Sequence, residues 1–374
     1  MSIEMGRKLQ VGIIFGGRSG EHEVSLMSAR SVLGVLDPHR YEVTQIGISR
    51  EGAWLTGEHV LEAMENGELE PLQVAALLPD PAWAGIHVIR NSEYGTMLDL
   101  LSNLDLVFPV LHGTYGEDGT LQGLLEMADM AYVGAGVLGS SVGMDKGVFQ
   151  SVMHANQIPV LETMVVLRSD LDKNMDLIIS AAEKMAPFPL FTKPANLGSS
   201  VGVSKCQNRA DLLEGLMDAA RYDRRILIQR GVNGREIEVS VLGNDAPEAS
   251  VPGEVIPSRE YYSYEAKYVD NASELLIPAP IPEVISQQAR QLAVKAFKAI
   301  DCQGMARVDF LLDRVSGELY LNELNTIPGF TSISMYPKLW EANGLSYPRL
   351  VDRLIDLALE RKADNQKTEH RYVR

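Results

Sequence analysis

The sequence predicts an α/β protein, and three patterns lead to that prediction. Residues 11–17 form an apolar run that ends in two glycines and is followed by helical spacing of apolar residues, which is typical of a strand, a tight turn and a helix. Residues 104–128 repeat this order. In the last third, residues 235–243, 304–312 and 317–325 alternate apolar and polar side chains, as antiparallel strands with one polar face do.

These patterns divide the chain into three predicted domains. Alternating strands and helices indicate an open, mostly parallel sheet in a domain of residues 1–132, where we interpret the acidic, proline-containing residues 58–95 as variable surface structure. Residues 133–225 contain a predicted helix and two strands joined by a glycine-serine loop. Residues 226–374 contain the antiparallel sheet and end in a strongly polar tail, from Arg361, that we expect to be frayed.

Composition excludes several classes of function. The net charge of −16 repels nucleic acid and anionic membrane surfaces, so we expect neither as a partner. The only cysteines are Cys206 and Cys302, which are far apart and outside any Cys/His cluster, and this argues against a disulfide framework or a zinc site. The N-terminal apolar run is too short for a signal sequence, and no run is long enough to span a membrane. We therefore expect a soluble, cytoplasmic protein.

Four polar residues of the alternating segments are candidate site residues. Arg307 and Asp309 share one face of their strand, and Glu323 and Asn325 share one face of theirs. The turn-like residues 313–317 favour pairing of the two strands. Carboxylate and amide oxygens are ligands that Mg²⁺ accepts, although a solvated strand face would show the same pattern. A cation on this face is suited to stabilising an oxyanion.

A glycine-serine loop offers a second candidate site. Lys193 precedes Gly198, Ser199 and Ser200, small residues that let backbone N–H groups approach phosphate oxygens, and the lysine adds a point charge. The GxxxxGK[ST] pattern of a Walker A loop is absent, and an isolated loop of this kind is more often a plain hairpin turn. Lys146 supplies another cation, which alone would be an ordinary surface lysine.

The first strand-to-helix turn leaves its function open. Residues 16–21 have the sequence GGRSGE, which lacks the GxGxxG spacing of a dinucleotide-binding turn, so a dehydrogenase is disfavoured. Glu21 is placed to hold a substrate ammonium group, but acids near helix N-termini also have structural roles. His112 is either a ligand-site residue or a loop histidine. The tyrosine-rich residues 259–278 lack periodicity, which is typical of a lid.

Taken in order, these segments resemble the D-alanine:D-alanine ligases of the ATP-grasp superfamily. The resemblance extends over nearly the whole chain and rests on the ordered set VGIIFGGRSGEHEVSL, HGTYGEDGTLQG, MDK, FTKPANLGSSVGVSK, EIEVSVLG, YSYEAKY, GMARVDF and LNELNTIPGFTSISMYP. The EHEVSL turn and the last stretch separate the family from other ATP-grasp enzymes such as biotin carboxylases. The resemblance implies a three-domain architecture, in which two α+β domains after the N-terminal sheet enclose the nucleotide.

The resemblance also implies a role for each matching residue. ATP would be bound by Lys146, Lys193, Ser200, Gln229, Arg230, Val232, Glu236, Lys267 and Asn322. Two Mg²⁺ ions, or Mn²⁺, would be bound by Asp309, Glu323 and Asn325. The catalytic residues would be Glu21, Ser199, Tyr268 and Arg307. The substrates would be bound by Glu21, His112, Arg307, Gly329 and Ser334.

The implied reaction has two steps. ATP phosphorylates the carboxylate of one D-alanine, and the amine of a second D-alanine then attacks the acyl phosphate. Glu21 would hold the first ammonium group and form a hydrogen-bonded set with Ser199 and Tyr268 that latches the lid. Arg307 and the backbone of Gly329 would stabilise the tetrahedral oxyanion. The resemblance further implies a homodimer and a role in peptidoglycan precursor synthesis.

Two departures and two alternatives accompany this interpretation. Gln229 stands where many relatives have glutamate, so the adenine contact would rely on an amide oxygen. Leu197 replaces a residue that is often polar, but the loop needs only the backbone of this residue. A D-alanine:D-lactate ligase is one alternative, but such relatives generally carry phenylalanine or histidine at the position of Tyr268, so the tyrosine favours dipeptide synthesis. The other is a non-catalytic nucleotide-binding regulator, which would not need a complete set of metal and oxyanion residues.

Overall fold

The computed structural model of the protein describes residues 7–199, 201–257, 274–331 and 333–369, which form three sheets and the helices around them. The first sheet and its helices comprise β1 (Leu9–Gly16), α1 (His22–Leu33), β2 (Tyr41–Ile48), β3 (Trp54–Thr56), α2 (Val60–Asn66), β4 (Gln73–Leu77), β5 (Ile86–Ser92), β6 (Gly95–Ser102), β7 (Leu106–Val110), α3 (Thr120–Met127) and β8 (Ala131–Tyr132).

The first sheet has the strand order β6-β5-β4-β3-β2-β1-β7-β8. Strands β2, β1, β7 and β8 are parallel, and β3 to β6 extend the sheet in antiparallel pairs. The predicted open α/β sheet is therefore confirmed, but it is mixed, and the expected parallel pairing is found only in the β2-β1-β7-β8 part. Residues 58–95, which we interpreted as variable surface structure, instead contribute α2, β4 and β5, because side chains such as Leu61, Ala75 and Ile86 are buried in the core.

The turn after β1 requires glycine. Gly16 and Gly17 have φ angles of 88° and 102°, which residues with a Cβ rarely adopt. A Cβ on Gly16 would also lie 2.3 Å from the carbonyl oxygen of Ile48. The turn leads the chain from β1 to the start of α1, at the carboxyl end of the parallel strands. Ligands of open α/β sheets bind at this end.

The middle of the chain forms a second, antiparallel sheet. Its elements are α4 (Val137–Met144), α5 (Lys146–Ala155), β9 (Thr163–Leu167), α6 (Arg168–Met185), β10 (Leu190–Pro194), β11 (Ser204–Cys206), α7 (Arg209–Tyr222) and β12 (Arg225–Arg230). The strand order is β11-β10-β12-β9. β10 and β11 flank the glycine-serine loop and pair with each other, so the predicted hairpin is confirmed.

The last third forms the third sheet. Its elements are β13 (Gly234–Gly243), β14 (Glu248–Ala249), β15 (Gly253–Ile256), β16 (Glu274–Leu276), α8 (Glu283–Ala299), β17 (Gly304–Asp313), β18 (Leu319–Asn325), α9 (Met335–Ala342) and α10 (Tyr347–Asn365). The strand order is β16-β15-β13-β17-β18, with β14 beside β13. The three alternating segments are β13, β17 and β18, which are antiparallel neighbours as predicted.

The C-terminal helix α10 packs back onto the first sheet. Leu350 and Leu354 are buried in the same hydrophobic core as residues of β1 and β7. Arg361 is also buried, stacks on the ring of Tyr132 at 4.1 Å, and donates hydrogen bonds to the carbonyl oxygens of Tyr132 and Gly134. The prediction of a frayed tail from Arg361 was therefore wrong for the rest of this helix.

Two further observations bear on the predictions from composition. Cys206 and Cys302 are both free and buried, as expected for a chain without disulfides. Among the residues described, none of the helices has the length and apolar character needed to span a bilayer.

Candidate active site

A crevice lies between the second and third sheets. Its walls combine apolar side chains such as Phe191 and Leu311 with polar groups from both sheets, a composition typical of ligand sites. Asp309 and Glu323 line it as well. So do all the predicted ATP-binding residues that the structure describes, namely Lys146, Lys193, Gln229, Arg230, Val232, Glu236 and Asn322.

Lys193 projects from β10 into this crevice. Its ammonium group donates hydrogen bonds to the side-chain oxygens of Gln229, at 2.7 Å, and Asn322, at 3.5 Å. Burial lowers the pKa of Lys193 to about 8. The amide of Gln229 is fixed in turn, because it donates to the hydroxyl of Thr163 at 3.1 Å. An anionic group in the crevice would stabilise the charged form of this lysine.

Lys146 is the first residue of α5. Asp145 caps this helix by accepting hydrogen bonds from two backbone N–H groups of the first turn. The ammonium group of Lys146 donates to the carbonyl oxygen of Leu197 at 2.9 Å and lies 3.6 Å from the carboxylate of Glu323. The helix start therefore holds a cation between the glycine-serine loop and β18.

The register of β17 and β18 brings the predicted oxygen donors together. Asp309 pairs with Glu323, and Arg307 pairs with Asn325. The guanidinium of Arg307 donates two hydrogen bonds of 2.7 Å to Asp309, and the amide of Asn325 donates to Asp309 at 3.0 Å. The four side chains thus lie on one face of the third sheet.

The chemistry of this donor set fits a hard cation. It offers two carboxylates and one amide, with Arg307 and Lys146 balancing the negative charge. Within the described ranges, no group of three or more His, Cys, Asp or Glu side chains is arranged to hold a metal ion. A Mg²⁺ ion bound here would therefore need further oxygen ligands, which phosphates and waters supply in nucleotide sites.

A second cavity lies between the crevice and the first sheet. It shares Lys146, Gly198, Ser199 and Glu323 with the crevice. The predicted substrate-binding residues that line it are Glu21, His112, Arg307 and Gly329. A group held in one cavity is therefore within reach of a group held in the other.

Glu21 is placed in this cavity at the start of α1. Its carboxylate accepts a hydrogen bond from the hydroxyl of Ser199. Two glycines leave room for it, because a Cβ on Gly198 or Gly113 would lie 2.6 Å or 2.8 Å from Oε2 of Glu21. Ser199 has a φ of 50°, a left-handed conformation that is uncommon outside glycine and occurs often at functional sites. The glycine-serine loop therefore closes onto the first sheet at Glu21.

His112 is buried, and both of its ring nitrogens have partners. Nδ1 lies 3.0 Å from the carbonyl oxygen of Ile327, and Nε2 lies 3.1 Å from the hydroxyl of Ser28. Since a carbonyl oxygen only accepts, Nδ1 carries the proton, and Nε2 accepts a hydrogen bond from the hydroxyl of Ser28. The oxygen of Ser28 in turn accepts a hydrogen bond from the backbone N–H of Phe330 at 3.3 Å. Burial lowers the pKa of His112 and so favours the neutral ring, which links α1 to the loop after β18.

Gly329 and Ser334 are in contact in that loop. A Cβ on Gly329 would lie 2.7 Å from Oγ of Ser334, so a side chain at residue 329 would displace the serine. The hydroxyl of Ser334 accepts from the backbone N–H of Thr331 at 3.0 Å and lies 2.8 Å from its hydroxyl. Gly329 lines the second cavity, whereas Ser334 contacts Gly329 and is not itself one of the residues that line the cavity.

Three of the predicted site residues, Ser200, Lys267 and Tyr268, lie outside the described residues. The predicted lid at 259–278 is described only from residue 274, where β16 begins. The roles of these residues stay predictions from the sequence.

Two protein-family models match the chain. The model described as the D-ala D-ala ligase N-terminus matches residues 10–135, and the model described as the D-ala D-ala ligase C-terminus matches residues 152–356. Between them they span most of the chain. The chain belongs to the D-ala D-ala ligase family. The resemblance drawn from the motifs is therefore confirmed.

Individual members of the D-ala D-ala ligase family match over nearly the full length. The D-alanine–D-alanine ligase of Heliobacterium modesticaldum is 49% identical over 96% of this chain and 97% of its own. Among solved structures, the D-alanine-D-alanine ligase of Coxiella burnetii is 34% identical, with a TM-score of 0.81 over 96% of each chain. The VanG D-Ala:D-Ser ligase of Enterococcus faecalis is 32% identical, with a TM-score of 0.83 over 94% of this chain and 100% of that one. The predicted ATP-grasp fold is thus confirmed.

One buried acid of the candidate site was not predicted. Glu117 lines the second cavity together with Glu21 and accepts backbone hydrogen bonds from Gly113, at 2.8 Å, and Ile327, at 3.3 Å. Burial, and then the charge of Glu21, raise the pKa of Glu117 to about 8. The sequence did contain a signal for Glu117, because it lies in the HGTYGED turn only five residues after the candidate site residue His112.

A second acid was also missed. Glu238 on β13 pairs with Asp309 on β17, and its carboxylate lies 3.0 Å from Nε of Arg307. Glu238 is buried, so its carboxylate helps to fix the guanidinium from the neighbouring strand. The two-residue alternation of β13 puts Glu238 on the same face as Glu236, which is a signal that the sequence did contain.

Proposed function

We propose that the protein is an ATP-dependent ligase that joins two D-alanine molecules into D-alanyl-D-alanine and forms ADP and phosphate. The observation that carries this proposal is the junction of the two cavities. The crevice lined by Lys193 meets the cavity lined by Glu21 and Arg307 at Lys146 and Glu323. A phosphoryl group held along the crevice would therefore arrive next to a carboxylate held in the second cavity.

The first step activates a carboxylate, which is a poor electrophile. The carboxylate of the first D-alanine attacks the terminal phosphorus of ATP, and ADP leaves with the electron pair of the broken P–O bond. Glu21 binds the ammonium group of this D-alanine, and Lys146 and Lys193 neutralise charge on the transferring group. The contribution of the protein is mainly positioning, because the reactants are held in line across the junction of the cavities.

The second step forms the peptide bond. The amine of the second D-alanine, in its neutral form, attacks the acyl carbon. The tetrahedral intermediate then expels phosphate, which takes the electron pair of the broken C–O bond and can accept the proton that the nitrogen loses. Negative charge on the former carbonyl oxygen faces Arg307 and the backbone N–H of Gly329. Asp309 and Glu238 fix the orientation of the Arg307 guanidinium. Water must be excluded from the acyl phosphate, and the predicted lid at 259–278 is suited to this task.

We propose that Asp309, Glu323 and Asn325 hold two Mg²⁺ ions, or Mn²⁺, together with the phosphates of ATP. Bound ions would supply positive charge to the phosphate oxygens. The cross-strand pairing of Asp309 with Glu323 supports this assignment. Mn²⁺ titration followed by electron paramagnetic resonance, with ADP present, tests it. The Asp309→Asn variant should bind at least about ten times less tightly, and unchanged binding would remove Asp309 from the site.

The cellular role follows from the proposed product. D-Alanyl-D-alanine is a building block of peptidoglycan, so we propose a role in cell-wall precursor synthesis in the cytoplasm, where ATP is available. We also propose a homodimer of three-domain chains, with domain limits at residues 132 and 225.

A product assay tests the ligase proposal. The protein is incubated with ATP and Mg²⁺ and one of four substrate sets: D-alanine alone, L-alanine alone, D-alanine plus D-serine, or D-alanine plus D-lactate. Products are identified by mass spectrometry. We expect D-alanyl-D-alanine as the main product, and phosphate release that requires ATP, Mg²⁺ and D-alanine together. Mixed products with D-serine or D-lactate would reassign the second substrate. ATP binding without phosphate release would instead indicate a regulator.

A further inference from the structure

Glu117 is a buried acid that joins two distant loops. Its Oε1 accepts a hydrogen bond from the backbone N–H of Gly113 at 2.8 Å, and its Oε2 accepts one from the backbone N–H of Ile327 at 3.3 Å. Gly113 follows β7 of the first sheet, and Ile327 follows β18 of the third. The side chain lines the second cavity, and the two proposed reaction steps give it no role.

Ile327 is held through both of its backbone polar groups. Its N–H donates to Glu117, and its carbonyl oxygen accepts from Nδ1 of His112 at 3.0 Å. Both of these side chains belong to the HGTYGED turn of residues 112–118. A single turn of the first sheet therefore fixes the backbone of Ile327 beside the cavity.

The chain between Ile327 and Gly329 is stiff. Pro328 lies between them, and its ring fixes its own φ at about −65°. A proline also restricts the residue before it, here Ile327, to extended conformations. Few soft torsions separate the two residues, so a shift of Ile327 is passed on to the backbone of Gly329.

The other side of Gly329 is anchored as well. The backbone N–H of Phe330 donates to the hydroxyl oxygen of Ser28 at 3.3 Å, and the carbonyl oxygen of Phe330 accepts from the hydroxyl of Tyr347 at 3.1 Å. Gly329 itself lines the second cavity. It is thus presented to the cavity between two anchored stretches of backbone, and Glu117 anchors one of them.

We propose that Glu117 is a positioning residue, which aims the backbone N–H of Gly329 at the oxyanion by holding the backbone of Ile327. This role rests on the proposed ligase reaction and belongs to its second step, in which negative charge develops on the former carbonyl oxygen. Displacing a positioned group by about 1 Å can slow a reaction by about 100-fold. The loss of one backbone contact is therefore enough to change the rate of this step.

Glu117→Gln removes this contact and keeps the volume of the side chain. A carboxyl group retains an acceptor lone pair on each oxygen with or without its proton, whereas the NH2 group of glutamine has none. The amide oxygen should keep the shorter bond, to Gly113, so that the NH2 group faces the N–H of Ile327 and repels it. We expect kcat for dipeptide formation to fall by about 10- to 100-fold and the KM for D-alanine to change by less than about threefold.

Asp118→Asn is the matched control. Asp118 is the next residue of the same turn, and its carboxylate also accepts two backbone hydrogen bonds, from Tyr115 at 2.8 Å and Thr120 at 3.0 Å. These bonds stay close to the turn and do not hold Ile327, so this variant should keep nearly the wild-type kcat. A general loosening of the turn would affect both variants alike, and equal falls in kcat would overturn the proposal.

Isotope exchange separates the two reaction steps. In ATP that carries a heavy oxygen isotope in the bridge between its β and γ phosphorus atoms, reversible phosphorylation of D-alanine moves the label to a non-bridging position. The ratio of exchange to dipeptide formation should rise in Glu117→Gln by at least the factor by which kcat falls. An unchanged ratio, or a normal kcat, would refute the positioning role alone. A wild-type protein that shows neither exchange nor dipeptide would refute the ligase proposal itself, on which this role rests.

Pro328→Ala keeps the proposal testable if Glu117→Gln fails to fold. Alanine frees the φ angle that the proline ring fixes, so the held backbone of Ile327 no longer sets the orientation of Gly329. We expect the ratio of exchange to dipeptide formation to rise in this variant too, with circular dichroism as the check of the fold. The same ratio in wild type and folded Pro328→Ala would contradict the proposed path from Glu117 to Gly329.

Discussion

The hydroxyl of Ser199 donates a hydrogen bond to the carboxylate of Glu21, and this contact joins the loop between β10 and β11 to the start of α1. The two residues are 178 positions apart in the chain. Their contact therefore depends on how the first and second sheets are brought together around the cavities. In the proposed reaction Glu21 both binds the ammonium group of the first D-alanine and holds the glycine-serine loop.

Gly198→Ala should disturb this contact directly. The added Cβ would lie 2.6 Å from Oε2 of Glu21, so the carboxylate or the loop must move. We expect the KM for D-alanine to rise by about tenfold or more, equivalent to about 1.4 kcal/mol. Steady-state kinetics measures this, and Gly123→Ala is the control, because a Cβ there has no atom within 4 Å. Equal KM values for the two variants would contradict the assignment of Glu21.

Lys193→Met should weaken nucleotide binding without unfolding the protein. The methionine keeps much of the apolar stem but removes the ammonium group that lies 2.7 Å from Gln229 in the crevice. Hydrogen bonds to charged groups contribute about 1.5–3 kcal/mol, so we expect the Kd for ATP to rise by roughly 10- to 100-fold. Isothermal titration calorimetry checks this against Lys184→Met on the exposed side of α6. Unchanged affinity in the Lys193 variant would place the phosphates elsewhere.

Glu117→Gln should change how stability depends on pH. Burial and the charge of Glu21 raise the pKa of Glu117 to about 8, whereas an unfolded glutamate ionises near pH ~4.3. Between these values the folded state retains a proton that the unfolded state has lost, so this group makes the wild type less stable as pH rises. The variant lacks this group and should lose less stability over that range.

Urea denaturation of both proteins at several values between pH 5 and pH 8 tests this prediction. The free energy of unfolding of the wild type should fall relative to that of Glu117→Gln as pH rises. A difference that is constant across the range would mean that Glu117 ionises normally in the folded protein.

Glu323→Gln should leave the fold intact and stop turnover. Glu323 lies 3.6 Å from Lys146 at the junction of the two cavities and pairs across strands with Asp309. Ion-mediated charge stabilisation contributes several kcal/mol, so we expect kcat to fall by at least about 100-fold. Phosphate release measures kcat, and circular dichroism checks the fold. A nearly normal rate would exclude Glu323 from the proposed metal site.

The features that the sequence predicted well depend on local geometry. Alternation along a strand fixes which side chains share a face, so Arg307 and Asp309 could be placed together before the register was known. The glycine-serine hairpin and the turn after β1 were predictable for a similar reason, since glycine marks backbone conformations that other residues avoid.

The features that the sequence did not predict depend on contacts between distant segments. The carboxylate of Glu117 accepts a hydrogen bond from the backbone N–H of Ile327, 210 residues away. No local sequence pattern predicts a contact between residues so far apart. Arg361 lies in a polar segment that we took for an exposed tail, but carbonyl oxygens of Tyr132 and Gly134 satisfy its guanidinium inside the protein. Burial of a charged residue becomes predictable only when its distant partners are known.

Phe330→Ala should destabilise the protein and impair the second cavity together. The Phe330 ring is fully buried and contacts Phe108 of the first sheet and Tyr336 of α9, with 6.1 Å and 5.6 Å between centroids. Truncating a buried phenylalanine costs about 3–5 kcal/mol, which urea denaturation measures. The backbone N–H of Phe330 also donates to Ser28, the partner of His112, so collapse of this loop should raise the KM for D-alanine.

Phe330→Leu is the control, because leucine keeps most of the apolar volume and this variant should lose less stability. Equal losses of stability in the two variants would show that the aromatic ring does not hold the sheets together.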